Sequence, residues 1–386
     1  MKIEDINRIT VVGAGHLGQR IACLCAEAGY DVALRDINRE AVEKGMEGVK
    51  QHIKESVDNG DLSDSEAENA RNRLQGYVDI QKAVGETDYV IEAVPEIPKI
   101  KENVWRDISD HAPDDAVFTS NSSSISTTKL AGFTDRPEKF AGMHFFQTRK
   151  PVEVIYGDQT SEDTIELVSD VTESIGKEPV TVQTDRPGFI GNRNAIPLTI
   201  ESGWLLSRGE ATVEEIDSTV KYGLNIEGAP LITSDSIGID VVYDIIQYVH
   251  SELGDAYKVP PIIEAKYQLG KLGVKTGEGF YDYSDGEPSI PEDEVNEEIK
   301  DILIAVCANE AARTIQEGVA DAEKIDWMMK QTFYGGGKGP AEKADDHGLD
   351  KVLETLENRY ELTGAERYRP AEYLVGLVEE GRNFHK

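Results

Sequence analysis

The chain has 386 residues, of which 73 are acidic and 40 basic, so its formal net charge is −33. This charge disfavours nucleic acid and anionic membranes as partners, because both repel a polyanion. We find no apolar run long enough to span a bilayer and no secretory signal. The three cysteines lack metal-ligand spacing, so we predict a cytoplasmic protein without disulfides and without a metal site.

The acidic residues are spread along the whole chain and do not form a tail. This distribution is typical of a protein surface adapted to high salt. In 1 M salt the Debye length is about 3 Å, so repulsion between surface carboxylates is screened. We therefore hypothesise a halophilic origin.

The chain opens with a strand, a glycine-rich turn and a helix. Arg8 to Val12 form an apolar run that predicts a buried parallel strand, and Gly13, Gly15 and Gly18 follow in a GxGxxG pattern. Gly13 permits the tight turn, Gly15 lets backbone N–H groups approach a pyrophosphate, and Gly18 lets helix and strand pack closely. A second strand ends at Asp36, whose carboxylate can accept from a ribose 2′-hydroxyl and would repel a 2′-phosphate. These features predict NAD as the cofactor.

Further predicted strands end in polar residues. After a long helix at Arg39 to Gly60, the apolar run Asp88 to Val94 ends beside Glu96, and Val117 to Thr119 leads into a serine-rich segment that contains Ser123. Open α/β sheets bind ligands in the crevice outside the carboxyl ends of their strands. We therefore expect the reacting groups at this edge.

A histidine and a glutamate in the next run are candidates for a general base and its partner. His144 ends an apolar run, and Glu153 is the one charge in the strand-like run Pro151 to Tyr156. A neighbouring carboxylate would hold the tautomer of the imidazole. The alternative is that His144 is a core residue without a catalytic role.

The C-terminal half contains an internal repeat, because the pattern that begins at Glu201 returns at Glu310 with nearly constant offset. We predict an α/β Rossmann-type domain followed by two related all-α domains. The Rossmann-type domain spans residues 1–184, and the first helical domain spans residues 185–283. An acidic proline-rich linker at residues 284–298 leads to the second helical domain at residues 299–386.

The motifs VVGAGHLG, VIEAVPE, SNSSSI, GMHFF with VEVI, DRPGFIGNR and KTGEGFYDY occur in the order found in the L-3-hydroxyacyl-CoA dehydrogenase family, which the whole chain resembles. The resemblance implies that His144 is the catalytic base and Glu153 its partner. It also implies that Ser123 and Asn192 contact the substrate oxygen. Alternatively, Ser123 is a turn residue and Asn192 a helix cap.

The same resemblance assigns further residues to the cofactor. Glu96 and Lys101 after the VIEA strand, Ser123, and Lys275 of KTGEGF look like NAD contacts. It implies that the helical domain mediates dimerisation in single-copy members. This chain is therefore predicted to be either a homodimer or a monomer that contains its own second copy.

The implied function is NAD-dependent oxidation of a (S)-3-hydroxyacyl-CoA to the 3-oxoacyl-CoA. Two alternatives are a dehydrogenase of a free 3-hydroxy acid such as carnitine or gulonate, and a non-catalytic NAD-binding relative.

Two departures from the family concern the coenzyme A ester. The segment from Gln147 to Pro151 lacks the family's Asn-Pro pair and is shorter. The helical hairpin that in relatives offers a serine and a lysine to the CoA phosphates holds His52 and Asn59 here. We hypothesise that Arg149 and Lys150 supply the missing positive charge.

Overall fold

The computed structural model describes residues 1–146 and 149–385. The chain forms two compact units, Met1–Arg186 and Pro187–Lys386. The division falls close to the predicted end of the first domain. The α/β class of the first unit and the helical class of the second are as predicted.

The first unit is built on one sheet. Its described residues form eight strands: β1 (Arg8–Val12), β2 (Asp31–Arg35), β3 (Leu74–Tyr77), β4 (Tyr89–Glu92), β5 (Val117–Ser120), β6 (Phe140–Phe145), β7 (Pro151–Ile155) and β8 (Glu178–Val182). Their order across the sheet is β3-β2-β1-β4-β5-β6-β7-β8. All neighbours are parallel except β6 and β7. The carboxyl ends of β1, β4, β5 and β6 therefore share an edge with the amino ends of β7 and β8.

Helices cover both faces of this sheet because each presents an apolar stripe to it. One face carries α1 (His16–Glu27), α2 (Arg39–Asp58), α3 (Asp64–Asn72) and α7 (Glu162–Ser174). The other carries α4 (Ile80–Val84), α5 (Pro98–His111) and α6 (Thr127–Ala131). The predicted long helix is α2, which begins where the Asn38 side chain accepts from the backbone N–H of Ala41.

The second unit is helical. Its helices are α8 (Gly191–Arg208), α9 (Val213–Ser218), α10 (Pro230–Ile237), α11 (Ile239–Leu253), α12 (Pro261–Gln268), α13 (Glu297–Gln316), α14 (Ala322–Thr332), α15 (Pro340–His347), α16 (Leu349–Thr363) and α17 (Glu372–Glu379). Among the helices of the described residues, none combines the length and apolar composition that crossing a membrane requires.

Aspartates make the same contacts in both halves of this unit, and three of the four are buried. Asp217 accepts from the backbone N–H groups that begin α10, and Asp326 accepts from those that begin α15. Asp235 accepts from the backbone of Phe280 and Tyr281, and the carboxylate of Asp345 binds the chain at 384–385 in the same way. Each aspartate satisfies donors that would otherwise be buried without partners.

A second recurring contact links the two halves reciprocally. The buried carboxylate of Glu310 in α13 accepts from the Tyr257 hydroxyl at 2.6 Å and from Arg193 Nε at 2.6 Å. The buried carboxylate of Glu201 in α8 accepts from the Tyr368 hydroxyl and from Arg367 Nε. In each case the glutamate belongs to one half and its tyrosine and arginine to the other.

Candidate active site

His144 and Glu153 stand directly opposite each other in the antiparallel pair of β6 and β7. His144 Nδ1 lies 2.7 Å from Glu153 Oε2. Glu153 is fully buried and His144 is 6% exposed. Opposed residues on antiparallel strands point to the same face of a sheet, so the strand register itself creates this pair.

The carboxylate fixes the tautomer of the ring. An ionised carboxylate can only accept a hydrogen bond, so Nδ1 carries the proton and the lone pair of the neutral ring lies on Nε2. The Phe146 ring meets the imidazole edge-on, with 4.5 Å between ring centroids. The imidazole is therefore held between the Glu153 carboxylate and the Phe146 ring.

The glycine turn has the geometry that a pyrophosphate requires. Gly13 has φ +112°, and a Cβ there would collide with the backbone of Ala93. A Cβ on Gly18 would overlap the carbonyl oxygen of Gly13. Gly15, the residue before α1, is exposed with open space around it, so a ligand can approach the first N–H groups of that helix. The residues present fit a dinucleotide.

Asp36 is placed beside this turn. Its Oδ2 accepts from the backbone N–H of Ala14 at 2.7 Å, and its Oδ1 accepts from the backbone N–H of Ile37 at 2.6 Å. The carboxylate is thereby held at the end of β2, next to β1. Its contact with a ribose stays a prediction.

Glu96 organises the serine-rich segment after β5. Its Oε1 accepts from the backbone N–H groups of Ser123 and Ser124 at 3.1 and 3.0 Å, and from the hydroxyls of Ser122 and Ser124. Burial by itself would raise the pKa of Glu96, but the charge of Lys101 and these hydrogen bonds hold that pKa below its usual value. The residue is thus an anion at the centre of the segment.

Lys101 lies beneath this network and is 1% exposed. Its Nζ is 2.7 Å from Glu92 Oε1 and 3.3 Å from Glu96 Oε2. Glu92 also accepts from the Ser120 hydroxyl at 2.7 Å. The predicted NAD contact of Lys101 stays a prediction, since the ammonium is directed to these carboxylates.

Sequence reasoning missed Glu92 and Asn121. Glu92 ends the apolar strand β4, and a single acidic residue at the end of an apolar run is the sequence feature that could have identified it. Asn121 Oδ1 accepts from the backbone N–H of Phe145 at 2.9 Å, which ties the serine-rich segment to the residue after His144. Ser123 in that segment is half-buried, and its hydroxyl bonds to no other side chain or backbone group of the described residues.

Asn192 and Lys275 belong to the second unit. Asn192 is half-buried in the first turn of α8, whose N-cap is Ile190, so Asn192 is not the helix cap that was the alternative. Lys275 lies in a short 3₁₀ turn, and its ammonium pairs with Asp240 of α11. Their predicted roles stay predictions.

The segment between β6 and β7 is described in part. Gln147 and Thr148 lie outside the described residues. Arg149 and Lys150 are exposed, and Lys150 Nζ is 3.4 Å from Glu178 Oε1. No group of three or more potential metal ligands is found among the described residues.

Comparison with known proteins identifies the family. Residues 8–186 match the NAD binding domain of 3-hydroxyacyl-CoA dehydrogenase, and residues 188–283 and 301–386 match its C-terminal domain. The probable 3-hydroxybutyryl-CoA dehydrogenase of Bacillus subtilis is 36% identical over 285 residues, which cover 73% of this chain and 99% of that protein.

Two further relatives extend over nearly the whole chain. The fatty acid oxidation complex subunit alpha of Idiomarina loihiensis is 31% identical over 411 residues, which cover 100% of this chain and 57% of that protein. The crystal structure of 3-hydroxybutyryl-CoA dehydrogenase from Escherichia coli is 26% identical, with a TM-score of 0.89 and coverage of 97% of this chain and 99% of that one. The chain therefore belongs to the 3-hydroxyacyl-CoA dehydrogenase family, and its first unit is the NAD-binding domain of an NAD-dependent oxidoreductase.

Proposed function

We propose that this enzyme oxidises (S)-3-hydroxyacyl-CoA to 3-oxoacyl-CoA with NAD, with His144 as the general base and Glu153 as its partner. The observation that carries the proposal is the buried 2.7 Å contact between the two side chains at the sheet edge that also bears the glycine turn. The names of the relatives from B. subtilis and E. coli support the substrate class.

The proposed step removes a proton and a hydride from one secondary alcohol. Nε2 of His144 takes the hydroxyl proton, and the Glu153 carboxylate stabilises the imidazolium that forms. Bound NAD would supply the hydride acceptor for the carbon that bears this hydroxyl. Loss of one proton and one hydride converts the alcohol to a ketone and leaves no net charge on the product.

Ser123 and Asn192 are proposed to hold the substrate oxygen while negative charge builds on it. For Ser123, the support is a hydroxyl with no bond to another described residue, on a segment fixed by Glu96 and tied to β6 through Asn121. Gly13, Gly15 and Gly18 would hold the pyrophosphate, and Asp36 the ribose.

A pair of assays tests the proposal. NADH oxidation with acetoacetyl-CoA is measured in molar KCl, and NAD reduction is measured with free 3-hydroxybutyrate, carnitine and gulonate. We expect turnover of the CoA ester and none of the free acids. Turnover of a free acid alone would replace the proposed substrate, and NAD binding without turnover of either would indicate a non-catalytic relative.

We also propose that the second unit contains two copies of one helical domain that pair within a single chain. The reciprocal contacts of Glu201 with Tyr368 and of Glu310 with Tyr257 support this proposal. Sedimentation equilibrium should then give the mass of one chain, and a concentration-dependent dimer would contradict it.

Three buried free thiols support a reducing, cytoplasmic location.

A further inference from the structure

The strand that carries His144 is paired unequally on its two sides. On one side, β7 pairs with β6 as far as Phe145, which lies opposite Val152. On the other side, the pairing of β5 with β6 ends at Ser120 and Gly142, although β6 continues to Phe145. The carboxyl end of β6 therefore extends beyond the strand that supports it on the β5 side.

Asn121 takes the place of a further β5 residue. It directly follows β5, and its backbone N–H donates to the carbonyl oxygen of Glu92 at 2.8 Å. Its side-chain Oδ1 accepts from the backbone N–H of Phe145 at 2.9 Å. In a longer β5, a backbone carbonyl would accept this hydrogen bond. The Asn121 amide thus extends the support of β6 to its last residue.

The contact determines which end of the Asn121 amide faces β6. Only the oxygen of an amide can accept from an N–H group, so Oδ1 is directed to Phe145. Phe145 is 4% exposed, and a buried backbone N–H needs an acceptor. Removing the Asn121 oxygen would therefore leave this N–H without its partner and allow the peptide group to move.

That peptide group joins His144 to Phe145. A peptide group is planar, so the N–H of Phe145 and the Cα of His144 lie in one plane. The hydrogen bond from Phe145 to Asn121 therefore restricts the backbone of His144, on which the direction of the imidazole depends. Glu153 holds the ring itself at Nδ1. The side chain is thus fixed at the ring by Glu153 and at the backbone by Asn121.

Asn121 also begins the segment that carries Ser123. Glu96 holds this segment by accepting from the backbone N–H groups of Ser123 and Ser124. One residue therefore joins the strand of the proposed base to the segment of the proposed oxygen contact. A misplacement of about 1 Å between reacting groups can cost a factor of about 100 in rate. Such a link is suited to keeping the two groups at a constant separation.

We propose that Asn121 is a positioning residue that keeps His144 and Ser123 at a fixed separation through its hydrogen bond to Phe145. This inference rests on the proposed function, because that function takes His144 as the base and Ser123 as a contact of the substrate oxygen. The alternative is that Asn121 stabilises the sheet without affecting the reaction. A variant that restores the acceptor separates the two.

The test removes the accepting oxygen and then restores it. Asn121→Ala should lower kcat for oxidation of (S)-3-hydroxybutyryl-CoA about 10- to 100-fold and leave KM for NAD within about twofold of wild type. Asn121→Ser, whose hydroxyl is one atom too short, should behave alike and keeps a polar side chain if Asn121→Ala does not fold. Asn121→Asp retains an acceptor at the same length and should return kcat to within about threefold of wild type. All are compared at the alkaline plateau of the pH profile, where the imidazole is neutral.

Asn296→Ala is the matched control. Asn296 is likewise half-buried, and its Oδ1 accepts from the backbone N–H of Glu298 at 3.0 Å at the start of α13, in the second unit. Loss of this helix cap should lower the melting temperature, as loss of the Asn121 contact does, but leave kcat at the wild-type value.

Two kinds of result would overturn the inference alone. Equal losses of kcat in Asn121→Ala and Asn121→Asp would show that the acceptor is not what matters. Normal kcat in Asn121→Ala, while His144→Gln loses activity, would show that the contact does not position the base, and a rise only in KM for NAD would assign the amide to the cofactor. Normal turnover by His144→Gln would instead overturn the proposed function, and this inference with it.

Discussion

Glu92 and Lys101 form a buried ion pair, with 2.7 Å between Oε1 and Nζ and almost no exposure of either side chain. Lys101 Nζ also lies 3.3 Å from Glu96, whose carboxylate accepts hydrogen bonds from the serine-rich segment. Removing one member should therefore disturb a whole region. We expect Lys101→Met to lower the free energy of unfolding by about 3–5 kcal/mol, because Glu92 is left buried without a cation.

A double variant separates stability from catalysis. Glu92→Gln combined with Lys101→Met should recover most of the lost stability in chemical denaturation. If Lys101 positions the segment that carries Ser123, the double variant lowers kcat while KM for NADH stays within about twofold of wild type. A large increase in KM for NADH with unchanged kcat would instead indicate direct contact with the cofactor.

The dyad gives a kinetic prediction. His144→Gln should reduce kcat about a thousandfold, since a general base contributes roughly that factor. Glu153→Gln should reduce it by about a hundredfold, because the amide neither fixes the tautomer nor stabilises the imidazolium. Glu166→Gln on the exposed side of α7 is the control. Binding of NADH, measured by fluorescence, should be unchanged in all three, and normal turnover by either dyad variant would exclude the proposed mechanism.

Asp217 predicts a pH dependence of stability. Burial raises its pKa to about 6, although hydrogen bonds from Leu231, Ile232 and Tyr281 oppose the shift. The folded protein then binds a proton more tightly than the unfolded chain, whose Asp has a pKa of about 3.9. The contribution of this group is fully present below about pH 4 and is lost as pH rises through about 6.

Asp217→Asn isolates that contribution. From pH 4 to pH 7, the free energy of unfolding of the wild type should fall relative to that of the variant by on the order of 2 kcal/mol. Urea denaturation at one salt concentration measures it. A difference that does not vary with pH would show that Asp217 titrates alike in the folded and unfolded states.

The reciprocal tyrosines predict matched losses of stability. Tyr257→Phe and Tyr368→Phe each remove a hydroxyl that donates to a buried glutamate, so each should cost about 1–3 kcal/mol. Tyr267→Phe, at a residue that is 40% exposed, should cost much less. Thermal denaturation compares the three. A large loss for one buried tyrosine and none for the other would contradict the equivalence of the two halves.

The net charge of −33 predicts a requirement for salt. Raising KCl from about 0.1 to 2 M should increase the melting temperature, since screening reduces repulsion between the carboxylates. Sucrose at matched viscosity should not produce the same increase. A melting temperature that does not depend on KCl, with full activity in dilute buffer, would contradict a halophilic origin.

The sequence alone determined the local elements and much of the chemistry. The apolar run before Gly13, the glycine spacing and the acid at Asp36 act over short stretches of chain, so local patterns predicted the nucleotide-binding unit that the structure contains. The internal repeat that begins at Glu201 and Glu310 could also be recognised from the order of residues. The strand, the glycine turn and the acid depend on neighbours within one or two turns or strands, whereas the repeat depends only on the order of residues along the chain.

Tertiary structure decided the rest. The sequence could not show that β7 runs antiparallel to β6, yet that register places Glu153 opposite His144. Nor could it show that Lys101 is buried between Glu92 and Glu96, because these residues come from separate elements. Such contacts depend on which strands pair and how helices pack on the sheet, and a single sequence carries no direct record of those long-range contacts.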